Sequence, residues 1–151
     1  MNEFSGTFDL EPLNWQGKWF GKRLYQFINS LYDPLTYDDG VWMVQPDNRF
    51  VTDLASIPKT LQLICPGAFA KDRFPKSVCC HDSGYLHGGH WVAHSGKEFH
   101  FLSMTRKQID IYLRDMVKSE GGNRVTAALI YAGVRVGGYW AFKRKKPSPQ
   151  K

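Results

Sequence analysis

The sequence predicts an α+β protein in which a β-rich N-terminal hairpin region packs on a core of about three helices. Residues up to about 60 contain short β-prone runs separated by turn residues. From Pro75 onward, apolar residues recur at helical spacing instead. The chain has 151 residues, of which 42% are hydrophobic, enough for one domain with a single core. We expect this domain to span residues 1–142.

The N-terminal region contains two strand signals and one ambiguous segment. The run LTYDDGVWMV places a DDG turn between two β-prone stretches, which is typical of a hairpin. The run NRFVTDLASIP alternates and ends at Pro58, which cannot continue a strand ladder. The segment NWQGKWFGKRLYQFINSLYDP has apolar residues near helical spacing, but Gly17 and Gly21 weaken a helix there, so its structure stays open.

Two helices follow. Pro75 suits a first helical turn, and the first helix is expected to run through Leu86 and to end at Gly88 and Gly89. The second is RKQIDIYLRDMVKSEGG, capped by Ser103 or Thr105. Its apolar face is expected at Ile109, Leu113 and Met116. Gly121 and Gly122 are expected to end it.

The remaining segments receive different predictions. Residues 90–104 are rich in histidine and are expected to be irregular. The last helix, within NRVTAALIYAGVRVGGYWAF, is apolar almost all round and is predicted to be the central packing helix.

The net charge of +6 comes mainly from the C-terminus. Residues 143–151, KRKKPSPQK, hold five basic residues and no acidic one, and the rest of the chain is close to neutral. We predict a basic disordered tail that either keeps the protein in solution or is attracted to anionic lipid or nucleic acid. Nucleic acid ranks last because only the tail indicates it.

Targeting signals and disulfides are not expected. No stretch of eighteen apolar residues is present, and MNEFSGTFDL lacks the features of a signal peptide. The three cysteines, Cys65, Cys79 and Cys80, are predicted to be reduced and packed. The protein is therefore expected to be made in a cytoplasm, with its final location left open.

The segment FPKSVCCHDSGYLHGG carries the strongest indication of chemistry. His81, Asp82 and Tyr85 are neighbours on one helix, so that His81 and Asp82 can address one site from two sides. A histidine that acts as a base needs a carboxylate to fix its tautomer. Asp110, which lies between two isoleucines of the second helix, is the predicted partner of His81.

Asp82 is predicted to bind a cation. Ca²⁺ takes carboxylates together with backbone carbonyls from a turn. The segment TDLASIP offers Asp53 at the end of a strand, and the carbonyl of Leu54 is a further candidate ligand. Asp53 and Asp82 are therefore expected to clamp one ion.

Three segments in this order, TDLASIP, FPKSVCCHDSGYLHGG and RKQIDIYLRDM, resemble the prokaryotic secreted phospholipase A2 pattern over about residues 50–118. The run from TDLASIP to YAGVRVGGYW, most of residues 35–142, also resembles an uncharacterised family of phage and prophage proteins with T-D-x-A-S-I-P and HD-x-x-Y motifs.

The resemblance implies a phospholipase A2-like helical core and a calcium-dependent esterase that acts on membrane phospholipid. His81 would take a proton from water, and Asp110 would orient His81 and stabilise its protonated form. Tyr85 would hold the Asp110 carboxylate or close the site. Asp53, Asp82 and the Leu54 carbonyl would bind Ca²⁺, which polarises the sn-2 ester carbonyl.

Two other classes stay open. His87, His90 and His94 are spaced to bind Zn²⁺ if their stretch is helical, although Gly88 and Gly89 favour a loop. The main alternative is a non-catalytic phage virion or tail component, or a host-interaction protein, that retains the same scaffold. The absence of a disulfide framework and of glycine in TDLASIPK supports it.

The aromatic residues allow two interpretations. Most are expected in the core, since a chain this aromatic needs them for packing. Beside a lipolytic site, Trp19, Phe20 or Trp91 would instead insert into a membrane surface.

Overall fold

The computed structural model describes residues 2–13, 25–52, 54, 73–94, 97–139 and 142. Within these residues the fold is α+β, as predicted, with six strands before the first helix. The strands are β1 (Glu3–Ser5), β2 (Leu10–Pro12), β3 (Tyr25–Ile28), β4 (Thr36–Asp38), β5 (Trp42–Gln45), β6 (Arg49–Thr52), β7 (Gly89–His94) and β8 (His100–Ser103). The helices are α1 (Pro75–His87), α2 (Arg106–Ser119) and α3 (Arg124–Gly137).

The larger sheet is antiparallel and has the strand order β1-β4-β5-β7-β8. Its β4–β5 hairpin forms around the predicted DDG turn. The Asp39 carboxylate accepts hydrogen bonds from the backbone N–H groups of Val41 (2.8 Å) and Trp42 (2.6 Å). Gly40 adopts a left-handed φ of 88°, which a glycine tolerates best. The hairpin prediction is confirmed.

The prediction of an irregular stretch over residues 90–104 is wrong. Most of this stretch forms β7 and β8, which pair with each other from Gly89–Ser103 to Val92–His100, and β7 also pairs with β5. In GHWVAH, two histidines stand on either side of the apolar run Trp91–Ala93, which is too short to show a strand period. Pairing with β5 stabilises this segment as a strand, and its histidine content gives no hint of that tertiary contact.

The smaller sheet resolves part of the ambiguous segment. It has the order β2-β3-β6, and β3 lies at Tyr25–Ile28, paired with β6. The strand predicted in NRFVTDLASIP is present at Arg49–Thr52. Residues 14–24, which include Trp15, Trp19 and Phe20, lie outside the described residues.

The first two predicted helices are both present. Helix α1 has Pro75 in its first turn and ends at Gly88, whose left-handed φ is 72°. Helix α2 is capped by Thr105 rather than Ser103, and Thr105 and Gln108 form a reciprocal capping box. The predicted apolar face of α2 is buried at Ile109, Leu113 and Met116.

The prediction that the last helix is central is wrong. Only four of the fourteen residues of α3 are buried, whereas eight of the thirteen residues of α1 are. Helix α1 packs against α2, β6 and β7, whereas the main packing partner of α3 is α2. An apolar composition without a polar stripe does not show which face of α3 meets its neighbour.

The core lies between the larger sheet and helices α1 and α2, and it continues among the three helices. Cys79 and Cys80 are fully buried and free, as expected, and burial raises the pKa of both thiols. Trp91 is half-buried, with its ring edge against Phe101. Among the described helices, none has the length and hydropathy of a transmembrane span. Cys65, Trp140 and the basic tail at residues 143–151 lie outside the described residues.

Candidate active site

Helix α1 presents His81 and Tyr85 on the side that faces α2. The two residues are one turn apart, and their ring centroids lie 4.1 Å from each other. Both side chains are buried, and the Phe142 ring also lies against the Tyr85 ring, with centroids 5.3 Å apart. The positions of both rings are therefore fixed by packing.

Asp110 is fully buried on α2 and contacts both of these side chains. Its Oδ1 lies 2.9 Å from His81 Nε2 and accepts a 2.5 Å hydrogen bond from the Tyr85 hydroxyl. The contacts that the sequence predicts for Asp110, with His81 and with Tyr85, are both present. The catalytic roles of the three residues stay predictions.

Arg135 of α3 completes the environment of Asp110, and the sequence analysis missed it. Its Nη1 donates a 2.9 Å hydrogen bond to Asp110 Oδ2, so both carboxylate oxygens are bound. Arg106 supports this arrangement from α2, because its Nη2 donates to the Arg135 carbonyl at 3.0 Å. A buried carboxylate needs a compensating cation, so burial of Asp110 indicates a nearby basic residue, and the arginine of YAGVRVGG is one candidate.

The contacts of Asp110 determine its charge. Burial alone would raise its pKa, but the hydrogen bonds from His81, Tyr85 and Arg135 outweigh burial and lower the pKa below its ordinary value. Asp110 is therefore ionised at neutral pH. Burial and the neighbouring Asp110 raise the pKa of Tyr85, so its hydroxyl stays protonated and donates.

Asp82 lies on the other side of His81. The structure places Asp82 Oδ1 4.0 Å from His81 Nδ1, whereas Nε2 faces Asp110. The imidazole ring thus lies between two carboxylates, one fully buried and one partly exposed. Since Asp110 occupies Nε2, Nδ1 is the ring nitrogen on the Asp82 side.

Thr52 ties Asp82 to the end of strand β6, and the sequence analysis did not single it out. The Thr52 hydroxyl donates to Asp82 Oδ2 and accepts a 2.9 Å hydrogen bond from the N–H of Leu54. Leu54 has a left-handed φ of 52°, which is uncommon for a residue with a side chain. Its side chain is buried in the core among the helices, so packing holds the strained backbone in place. The TD-x-ASIP segment therefore contacts the HD pair through its threonine.

The predicted calcium ligands are only partly described. Asp53 lies outside the described residues, and among those described no group of three His, Cys, Asp or Glu side chains could hold a metal ion. The Asp82 carboxylate and the turn at Leu54 are nevertheless linked through Thr52. A carboxylate beside a turn is the kind of oxygen donor set that Ca²⁺ takes.

The three histidines weighed for zinc take separate environments. The stretch that would have to be helical forms strand β7 after the end of α1. His87 Nε2 lies 3.0 Å from an Asp47 oxygen, His90 is buried, and the ring of exposed His94 lies against Trp42. The structure does not bring these side chains together.

Comparisons with known proteins identify one family. The family model described as "Protein of unknown function (DUF1353)" matches residues 29–134, which include His81, Asp82, Tyr85 and Asp110. No curated protein and no solved structure matches the chain. The phage origin and the phospholipase resemblance therefore stay predictions.

Proposed function

The chain belongs to the DUF1353 family of proteins of unknown function, and we propose that it is a phospholipase A2-like hydrolase in which His81 and Asp110 activate water against a phospholipid ester. The observation that carries the proposal is the contact of 2.9 Å between His81 Nε2 and a fully buried Asp110 carboxylate. A carboxylate in this position fixes the tautomer of the imidazole and stabilises its protonated form.

The supporting contacts suit a dyad that must keep its geometry. Tyr85 and Arg135 hold the Asp110 carboxylate, so its position does not depend on the histidine alone. A low pKa keeps Asp110 charged, which favours a positive charge on His81 when the ring accepts a proton. Positioning groups of this kind raise the efficiency of a general base.

The proposed reaction uses Nδ1 of His81. This nitrogen takes a proton from a water molecule, and the water oxygen attacks the carbonyl carbon of the ester. When the tetrahedral intermediate collapses, the alkoxide of the lysophospholipid leaves and receives the proton from Nδ1. The products are a fatty acid and a lysophospholipid, and no serine nucleophile takes part.

Calcium is the proposed cofactor. Asp82, Asp53 and the Leu54 carbonyl would hold it, and the Thr52 contacts that join Asp82 to Leu54 support this donor set. When bound, Ca²⁺ polarises the ester carbonyl and stabilises the oxyanion. The substrate class, the sn-2 position and a phage origin come from the resemblance of TDLASIP and HDSGY to known patterns.

The test is fatty-acid release from mixed phospholipid vesicles, with calcium and with chelator. We expect calcium-dependent release by the wild type and a loss of at least about a hundredfold in His81→Ala. His100→Ala is the matched control, because His100 is exposed on β8. Circular dichroism would confirm that each variant is folded. Absence of release under every condition from folded wild-type protein would exclude the proposed activity.

A second candidate is a non-catalytic phage virion, tail or host-interaction protein. The observation that favours it is burial, because His81 is only 3% exposed and Asp110 is 0% exposed. A buried network that joins α1, α2 and α3 also serves to hold the three helices together. Under this alternative, His81→Ala lowers the free energy of unfolding but no phospholipid hydrolysis is found in any variant.

A further inference from the structure

We infer that the outer face of helix α3 docks the protein on an anionic phospholipid bilayer. We call this outer face the α3 patch and define it by Val125, Ala128, Leu129, Ala132 and Val136. The inference assigns a membrane-binding surface that lies apart from the dyad. Only its relevance to catalysis rests on the proposed function.

The first observation is exposure. Val125 is 68% exposed, Leu129 44% and Val136 84%. These residues and the two exposed alanines recur at helical spacing, so they form one continuous stripe along α3. Single exposed apolar residues are common on protein surfaces, but a stripe that runs the length of a helix indicates a binding face.

The second observation is charge. Residues 121–151 contain seven basic residues and no acidic one. Arg124 begins α3, and five of the seven cations lie in the sequence that follows it, KRKKPSPQK. An apolar helix face followed in the sequence by a basic segment is a combination by which peripheral proteins bind anionic lipid.

The same two observations disfavour other occupants. A second copy of the chain, seated symmetrically on the α3 patch, would bring together two C-terminal sequences that contain basic residues and no acidic one. Nucleic acid would satisfy the cations but would leave the valines and the leucine in water. An anionic bilayer satisfies both, because its headgroups pair with the cations while its acyl region takes the aliphatic side chains.

The test measures binding without catalysis, in the His81→Ala background, by co-sedimentation with vesicles. One set is pure phosphatidylcholine, and the other also contains phosphatidylserine. The docking variant carries Val125→Ser and Val136→Ser. The matched control carries Val41→Ser and Val51→Ser, since these two valines are 58% and 49% exposed on the sheet side of the molecule. A third variant, Lys145→Gln with Lys146→Gln, lowers the charge of the tail.

We expect the parent to bind the phosphatidylserine vesicles, and the docking variant to bind them at least about tenfold more weakly. The matched control should stay within about twofold of the parent. The tail variant should bind more weakly at low salt and differ less at high salt. If the wild type binds the vesicles but releases no fatty acid, the proposed function is contradicted and this inference stands.

Three results would overturn the inference. The first is equal binding by the docking variant and the matched control. The second is no binding of the parent to either vesicle. The third is that the docking variant binds vesicles as the parent does but loses another interaction. That interaction would be a dimer seen by light scattering or a complex with duplex DNA.

Discussion

Gly84 of α1 lies directly against His90 of β7: a Cβ atom at position 84 would lie 2.5 Å from His90 Nε2. It would also lie 2.9 Å from the Ile109 side chain on α2. At this glycine, α1, α2 and the larger sheet are in close contact one turn of helix from His81. The HDSGY sequence thus contains a glycine that permits close packing beside the titratable residues His81, Asp82 and Tyr85.

Gly84→Ala is expected to lower the free energy of unfolding by about 1–3 kcal/mol. Alanine is the better helix former by about 1 kcal/mol, but the added methyl group must displace His90 or Ile109. Urea denaturation measures the change. In a His90→Ala background, Gly84→Ala should lower the free energy of unfolding by less, because alanine at position 90 leaves room for the added methyl group. A more stable Gly84→Ala would show that α1 and β7 can separate without loss.

Arg135→Ala is expected to destabilise the protein by about 2 kcal/mol. Removing the arginine leaves Asp110 Oδ2 without its 2.9 Å partner in the interior and raises the pKa of Asp110. Arg124→Ala is the matched control, because Arg124 is exposed on the same helix. Denaturation of both variants at neutral pH gives the comparison. Equal stability of the two would mean that Arg135 contributes no more than a surface arginine.

The part of the site that the sequence predicts consists of polar residues whose burial costs free energy unless they have a partner. Asp110 between two isoleucines requires a partner, and His81 on the facing helix provides one, so their contact followed from chemistry and periodicity alone. Arg135 and Thr52 were missed because neither is unusual in its own segment. An arginine near a helix end and a threonine in a strand acquire meaning only when the fold brings Asp110 and Asp82 to them.

The same distinction holds for the fold. The β4–β5 hairpin and the ends of α1 and α2 depend on local turn and cap residues, which the sequence displays. The β7–β8 pair and the peripheral position of α3 depend on which element lies alongside. Strand formation in GHWVAH needs β5 as its neighbour, and that pairing joins residues far apart in the chain.

Glu120→Ala is expected to lower the free energy of unfolding by about 1–2 kcal/mol. Phe74, at the N-cap of α1, makes no side-chain cap, and the Glu120 carboxylate caps that helix from the end of α2 instead. It accepts hydrogen bonds from the backbone N–H groups of Lys76 (3.1 Å) and Ser77 (2.8 Å). Thermal unfolding tests the prediction against Glu98→Ala, a change at an exposed residue. A loss no larger than that of the control would rule out a capping role.

The lowered pKa of Asp110 predicts a stability change at acidic pH. Burial opposes ionisation, but the bonds from His81, Tyr85 and Arg135 prevail, so the folded protein gives up this proton more readily than the unfolded chain. The resulting stabilisation is present above the ordinary value of 3.8 and is lost as pH falls through the lower folded pKa. Urea denaturation of the wild type and Asp110→Asn, as a function of pH, should give a shallower decline below 3.8 in the variant. Parallel curves would contradict the lowered pKa.

The lowered pKa of His90 predicts a second pH dependence of stability, at higher pH than that of Asp110. Burial, together with the charges of His81 and His87, lowers the pKa of His90 from 6.5 to about 3. Within the described part of the chain, neither ring nitrogen has a hydrogen-bond partner, so the folded protein holds this ring in its neutral form.

The unfolded chain binds a proton at His90 below 6.5 and the folded protein does not, so the free energy of unfolding falls as pH falls from 6.5 toward about 3. His90→Leu should remove much of this decline, because leucine does not titrate and leaves no polar atom unpaired. His100→Leu, at an exposed histidine, should keep the wild-type slope. The measurement is the free energy of unfolding between pH 6.5 and 4, above the window of Asp110, from urea denaturation of the three proteins. A wild-type slope in His90→Leu would mean that His90 is protonated in the folded protein as readily as in the unfolded chain.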